Sequence, residues 1–171
     1  MLNAMFSGFF LAALSVMLTA LAIEDLHRNA VSGAHLTAVS VWIITGHAAD
    51  MVMGGPDIWP VSLRAGTEAG IVMLAGAVIW SLVMGRLTGR LPLGGADIKL
   101  LSIGALCLGL ARALVGLCAA ALSAALYLSF KMIFGKQKKE LSETIPFVPF
   151  LVIGFIAAYI AGKQIISWYT A

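Results

Sequence analysis

Apolar residues run along this chain in six long blocks, and most polar residues fall in the gaps between them. The blocks cover roughly 4–24, 35–53, 66–86, 98–114, 115–134 and 147–168. Most approach the ~20 residues that a helix needs to cross a bilayer. The pattern predicts an all-α polytopic membrane protein, a bundle of six transmembrane helices with residues 1–171 as one domain. Blocks four and five are nearly continuous, divided by a short turn near Ala111-Arg112-Ala113. Pro92 and the pair Gly94-Gly95 end any helix upstream of block four.

Composition agrees. Of 171 residues, 61% are hydrophobic and 11% charged, with a mean hydropathy of +1.00, whereas a soluble domain carries roughly a quarter charged residues. A formal charge of +3 is too small and too scattered to suggest nucleic acid. Cys107 and Cys118 lie in apolar runs and read as inert core thiols. No CxxC pair exists, which excludes a cysteine zinc site. His47 and Asp50 stand three apart on a helix, but the histidines form no recognisable metal motif.

Charge orients the bundle. No Lys or Arg precedes Arg28, so block one lacks the basic region of a signal peptide and reads as a retained helix. With the N-terminus outside, the inner loops hold Arg28, then Arg86, Arg90 and Lys99, then Lys131, Lys136, Lys138 and Lys139. Those are eight of the eleven basic residues; Arg64, Arg112 and Lys163 remain on the outer side. The positive-inside rule therefore favours N-out and C-out. Trp59, Trp168 and Tyr169 are expected at the outer interface. The polar loop 135–143 reads as a solvated inner loop that sets topology.

This topology decides where the acids go. Asp25 falls at the inner end of helix one and Asp97 at the inner start of helix four. They are 72 residues apart in sequence yet at one membrane face. Ionisable groups at membrane depth are costly and mark functional sites by default. Two carboxylates close together repel when both are ionised, so one holds a proton. The ionised partner can take a proton from water while the other polarises a carbonyl. Gly94 and Gly95 would give backbone freedom and room for another chain beside Asp97, which the helix dipole favours in a first turn. Each acid alone also reads as a helix-end residue. Glu24, beside Asp25, reads as facing the surface or the headgroups. Lys99 would orient a substrate carbonyl or neutralise the site. A small proton-coupled transporter also uses intramembrane acids, but it should show inverted repeats or midplane polar groups. No convincing repeat is visible.

Three segments together resemble the type IV prepilin peptidase family, within the GxGD class of intramembrane aspartic proteases. They are Asp25-Leu26-His27-Arg28-Asn29-Ala30-Val31-Ser32-Gly33, then Gly94-Gly95-Ala96-Asp97-Ile98-Lys99, then Pro146-Phe147-Val148-Pro149-Phe150-Leu151. Two positions depart from the family pattern: Ala96 replaces the second motif glycine, and Ser32-Gly33 replaces Pro-Asn. Alanine fails at that position if positive φ is needed.

The resemblance implies a membrane aspartic endopeptidase in which Asp25 and Asp97 activate water, supported by Gly94, Gly95, Lys99 and Pro146. Its substrates would be prepilins or pseudopilins, cleaved after a basic leader at the cytoplasmic face of the bacterial inner membrane. No metal or organic cofactor is implied. No methyltransferase segment is recognised, which resembles the short peptidase-only branch of Flp/Tad-type pilus systems. Pro146 and Pro149 would hold the approach to helix six extended. Lipid is the surrounding partner. Ala96 also leaves open a catalytically silent pilus-assembly protein.

Overall fold

A computed structural model describes residues 2–53, 58–89, 93–134 and 146–170. Six helices account for nearly all of them: α1 (Leu2–Arg28), α2 (Gly33–Met53), α3 (Leu63–Thr88), α4 (Gly95–Leu108), α5 (Leu110–Phe134) and α6 (Val148–Thr170). No strand occurs among the described residues. Five of the six, all but α4, are long and apolar enough to cross a membrane. In hydrocarbon every backbone N–H and C=O must find a partner within the protein, and a helix satisfies its own. Hydroxyls inside the spans follow suit: Thr19 donates to the Ser15 carbonyl at 2.7 Å and Thr45 to that of Val41 at 2.8 Å.

The bundle is all-α, as the apolar blocks predict, with one boundary moved. The break between α4 and α5 falls at Gly109, not near Ala111-Arg112-Ala113. Gly109 has φ 78° and ψ 162°, a conformation in which a side chain would be strained. Its N–H still closes on the Ala105 carbonyl at 2.8 Å, ending α4 after 14 residues. Such a helix is ~21 Å long at 1.5 Å per residue, short of a ~30 Å hydrocarbon core. At the other boundaries, Ser62 accepts the Ala65 N–H to start α3, and Gly89 at φ 70° ends it.

Small residues set the packing. α5 lies along α6, and α3 along α4. A Cβ on Gly154 would run into the Gly116 carbonyl, one on Gly66 into that of Leu106, and one on Gly104 into the Phe155 ring. Lipid tails are as apolar as leucine, so close backbone approach, not water exclusion, is what draws such helices together. Ile79, Leu126, Phe130 and Ile160 point outward and exposed, which suits a lipid surround.

At the end of α2 remote from Gly33 a second set of polar groups is internal. Trp59 is 1% exposed and donates from Nε1 to the Ile43 carbonyl at 3.1 Å. It is therefore a core residue and not an interfacial one, because Gly46 leaves the space that its ring fills. Trp168 and Tyr169 are exposed. Of the two cysteines, Cys107 is buried, but Cys118 is exposed on α5 and so is not a core thiol. The loop 135–143, Arg90 and Pro92 lie outside the described residues.

Candidate active site

Asp25 occupies the last turn of α1 and Asp97 the first turn of α4. Asp25 is 6% exposed, and its Oδ2 accepts the N–H of Val148 at 3.1 Å. Val148 opens α6, where the N–H groups of a helix's first turn lack partners in their own helix. The carboxylate of one helix thus caps another. Asp97 does the same for its own helix: its Oδ2 accepts the Gly94 N–H at 3.1 Å. Gly94 has no side chain to return that bond, so only half of a capping box forms. Asp97 consequently sits at the positive end of its own helix dipole, where negative charge is favoured, whereas Asp25 meets the positive end of α6 from the negative end of α1.

Asp97 lies outside the five spanning helices. Burial raises its carboxyl from 3.8 to about 6, and the charge of Asp25 pushes in the same direction against the Gly94 N–H. The charge of Asp25, remote in sequence, thus reaches Asp97. No hydrogen bond joins the two carboxyls among the described residues.

The motif glycines act differently from the sequence expectation. Gly94 has φ −69° and ψ 155°, Gly95 is the first residue of α4, and neither has positive φ. Backbone freedom is therefore not their contribution, since any residue adopts these conformations. Space is: nothing lies within 4 Å of a Cβ placed on Gly95, while one on Gly94 would stand 3.2 Å from Asp97 Oδ2. Ala96 is the second residue of α4 and also lacks positive φ, so alanine is unstrained there.

Lys99 is exposed on α4 and lines a groove with Leu36, Thr37, Ser40 and Ser102, on the side facing α2. Pro146 is half-buried two residues before Val148, and Pro149 falls in the first turn of α6, where its missing N–H costs nothing. His47 and Asp50 are committed to backbone groups. His47 Nε2 donates to the Leu106 carbonyl at 3.1 Å, and Asp50 accepts the N–H groups of Ile58 at 2.7 Å and Trp59 at 3.1 Å. Among the described residues no group of three or more His, Cys, Asp or Glu side chains gathers where it could hold a metal ion.

Two parts of the site escape a reading of side-chain types. The Val148 N–H is a backbone donor, and nothing in a sequence marks which acid it will meet. Glu24 was expected at the surface, yet its side chain is only 11% exposed at the rim of the bundle, with Oε2 2.7 Å from His35 Nδ1. The tight turn after α1 folds α2 back onto it and covers the carboxylate.

An apolar groove of about 230 Å³, with neither acid in its walls, is lined by Leu14 and Leu18 of α1, Leu100 and Ile103 of α4, and Phe155 and Tyr159 of α6. These are the three helices that carry Asp25, Asp97 and Val148.

Over 153 residues the chain is 29% identical to the prepilin leader peptidase/N-methyltransferase of Bacillus subtilis (strain 168). The match takes in 90% of this chain, which spans 56% of that protein, about half its length. The similarity supports the prepilin peptidase family in general. No protein-family model matches the chain, and no solved structure matches it.

Proposed function

We propose that this chain is a membrane aspartic endopeptidase that removes the basic leader from prepilins or pseudopilins. Flp-type prepilins are the substrates, and cleavage takes place at the cytoplasmic face of the bacterial inner membrane, with both ends of the bundle's chain on the outer side. The observation that carries this activity is the placement of Asp25 in the last turn of α1 and Asp97 in the first turn of α4, with the charge of Asp25 among the causes that raise the Asp97 carboxyl.

Asp97 near 6 and a buried Asp25 make a pair that holds one proton in mildly acid conditions. The ionised carboxylate removes a proton from water, whose oxygen attacks the scissile carbonyl carbon. The protonated partner donates to the carbonyl oxygen. Collapse of the tetrahedral adduct breaks the C–N bond, and the proton taken from water passes to the leaving amine. The proton belongs to the pair, so neither acid is assigned a fixed role. Open space beside Gly95 admits an extended peptide. The apolar groove receives the hydrophobic stretch that follows the leader.

Co-expression with a Flp-type prepilin tests this. The unmutated chain should shorten the prepilin by its leader, and Asp25→Asn or Asp97→Asn should abolish processing. Unchanged cleavage in either variant removes the aspartic mechanism. Absence of cleavage by the unmutated chain, across several prepilins, turns the assignment toward an assembly protein or a transporter.

A further inference from the structure

Glu24 and Asp25 are neighbours on α1, so their side chains leave the helix ~100° apart. Asp25 reaches α6 through Val148, whereas Glu24 reaches α2. The Glu24 carboxylate meets three groups, one each from α1, the turn after it and α2. His35 Nδ1 stands 2.7 Å from Oε2, Arg28 Nη1 stands 3.8 Å from Oε1, and the Ser32 N–H faces the same carboxylate. The turn itself is sharp, with Asn29 at φ 47° and its N–H on the Asp25 carbonyl at 2.8 Å. His35 is 59% exposed while the Glu24 side chain is 11% exposed, so a short bond to the carboxylate forms where water still reaches the ring.

We propose that Glu24, clamped by His35, is a positioning residue that sets the rotation of the last turn of α1 and thereby aims Asp25 at Asp97. This rests on the assignment of Asp25 to the acid pair. A carboxylate ~6 Å from the helix axis moves ~1 Å for a rotation of ~10°. Misplacement of a reacting group by ~1 Å can cost ~100-fold in rate. The Val148 N–H fixes Asp25 from one side only. Glu24 and His35 supply the second side, so the last turn of α1 is held between α2 and α6.

The test uses the full chain in lipid nanodiscs with a Flp-type prepilin as substrate. Glu24→Gln and His35→Phe should each lower kcat about tenfold with KM nearly unchanged. The double variant should be no worse than the poorer single one, because both weaken the same contact. His35→Lys, which keeps an N–H donor beside Glu24, should restore most of the kcat lost in His35→Phe. Unchanged kcat in Glu24→Gln, or multiplied losses in the double variant, would overturn the proposal.

A second readout needs no turnover. A membrane-permeant carbodiimide is applied, and its adducts at Asp25 and Asp50 are quantified by mass spectrometry. Glu24→Gln should raise modification of Asp25 several-fold and leave Asp50 at the other end of α2 unchanged. If the unmutated chain cleaves nothing but Asp25 labelling rises selectively, the peptidase assignment fails and the positioning stands. If the chain cleaves and neither kcat nor labelling responds, the positioning fails alone. Equal rises at Asp25 and Asp50 mean general loosening and also overturn it.

Discussion

The N–H of Val148 donates to Asp25 Oδ2 at 3.1 Å across 123 residues of chain. One bond joins the end of the first helix to the start of the last. It satisfies a donor that α6 cannot satisfy itself, and it holds a carboxylate where the candidate chemistry needs one. Asp25→Ala should therefore do more than remove an acid. It leaves a buried N–H without a partner, at ~1–3 kcal/mol, whereas Asp25→Asn keeps an acceptor there. Both variants should lose leader cleavage, but only the alanine variant should show a clearly lowered thermal midpoint. Equal midpoints would mean that water replaces the bond.

Asp97 sets the pH dependence. Its carboxyl stands at about 6 in the fold against 3.8 for an unperturbed aspartic acid, chiefly through burial. The folded state binds this proton more tightly than the unfolded chain does. The resulting stabilisation is complete below pH 3.8 and is lost as pH rises through about 6. Asp97→Asn should match the unmutated chain in thermal midpoint at the acid end of this window and exceed it at neutral pH. Parallel profiles across the window would contradict the shift. Cleavage by the unmutated chain should likewise decline as pH rises beyond about 6, where the shared proton is lost.

Ala96 stands where the family pattern has glycine, but it lies in the second position of α4 without positive φ. Ala96→Gly should not raise activity. It should lower stability slightly, by up to ~1 kcal/mol, because glycine is the poorer helix former. A large gain in leader cleavage would show that close approach at this Cβ, and not conformation, limits the unmutated chain.

Asp50 accepts two backbone N–H groups, from Ile58 and Trp59, at the end of α2 away from Gly33. Asp50→Ala should destabilise by ~2 kcal/mol or more, since two buried donors lose their acceptor. The kcat of the molecules that remain folded should be unaltered. A specific loss of kcat would instead link this polar cluster to the acid pair.

Two glycines of the spanning helices predict opposite signs. A Cβ at Gly154 meets the Gly116 carbonyl and stands 3.0 Å from Ala120 atoms, whereas one at Gly76 meets nothing within 4 Å. Gly154→Ala should push α5 from α6 and cost ~1–3 kcal/mol. Gly76→Ala should stabilise by ~0.5–1 kcal/mol through helix propensity alone. Thermal unfolding in one detergent checks both, and a neutral Gly154→Ala would show that the α5–α6 contact yields.

Sequence by itself determines the helices and the acids. A run of ~20 apolar residues has one low-cost conformation in a bilayer, because only a helix satisfies its own backbone there. The blocks around Leu18, Ile43, Met73 and Phe155 are therefore legible without packing. Asp25 and Asp97 stand out for the same reason, as charges bordering apolar runs. Conformational detail is less legible. Gly94-Gly95 and Gly109 are the same residue type, but only Gly109 has positive φ, since the choice follows how α4 meets its neighbours. Tertiary structure alone decides that Trp59 is core, that Glu24 turns to His35, and that a Val148 N–H holds Asp25. Each depends on which helix faces which. That is set by small residues such as Gly46, Gly66, Gly116 and Gly154, which let backbones approach. A sequence shows that those positions are small; only the assembled bundle shows what comes to lie against them.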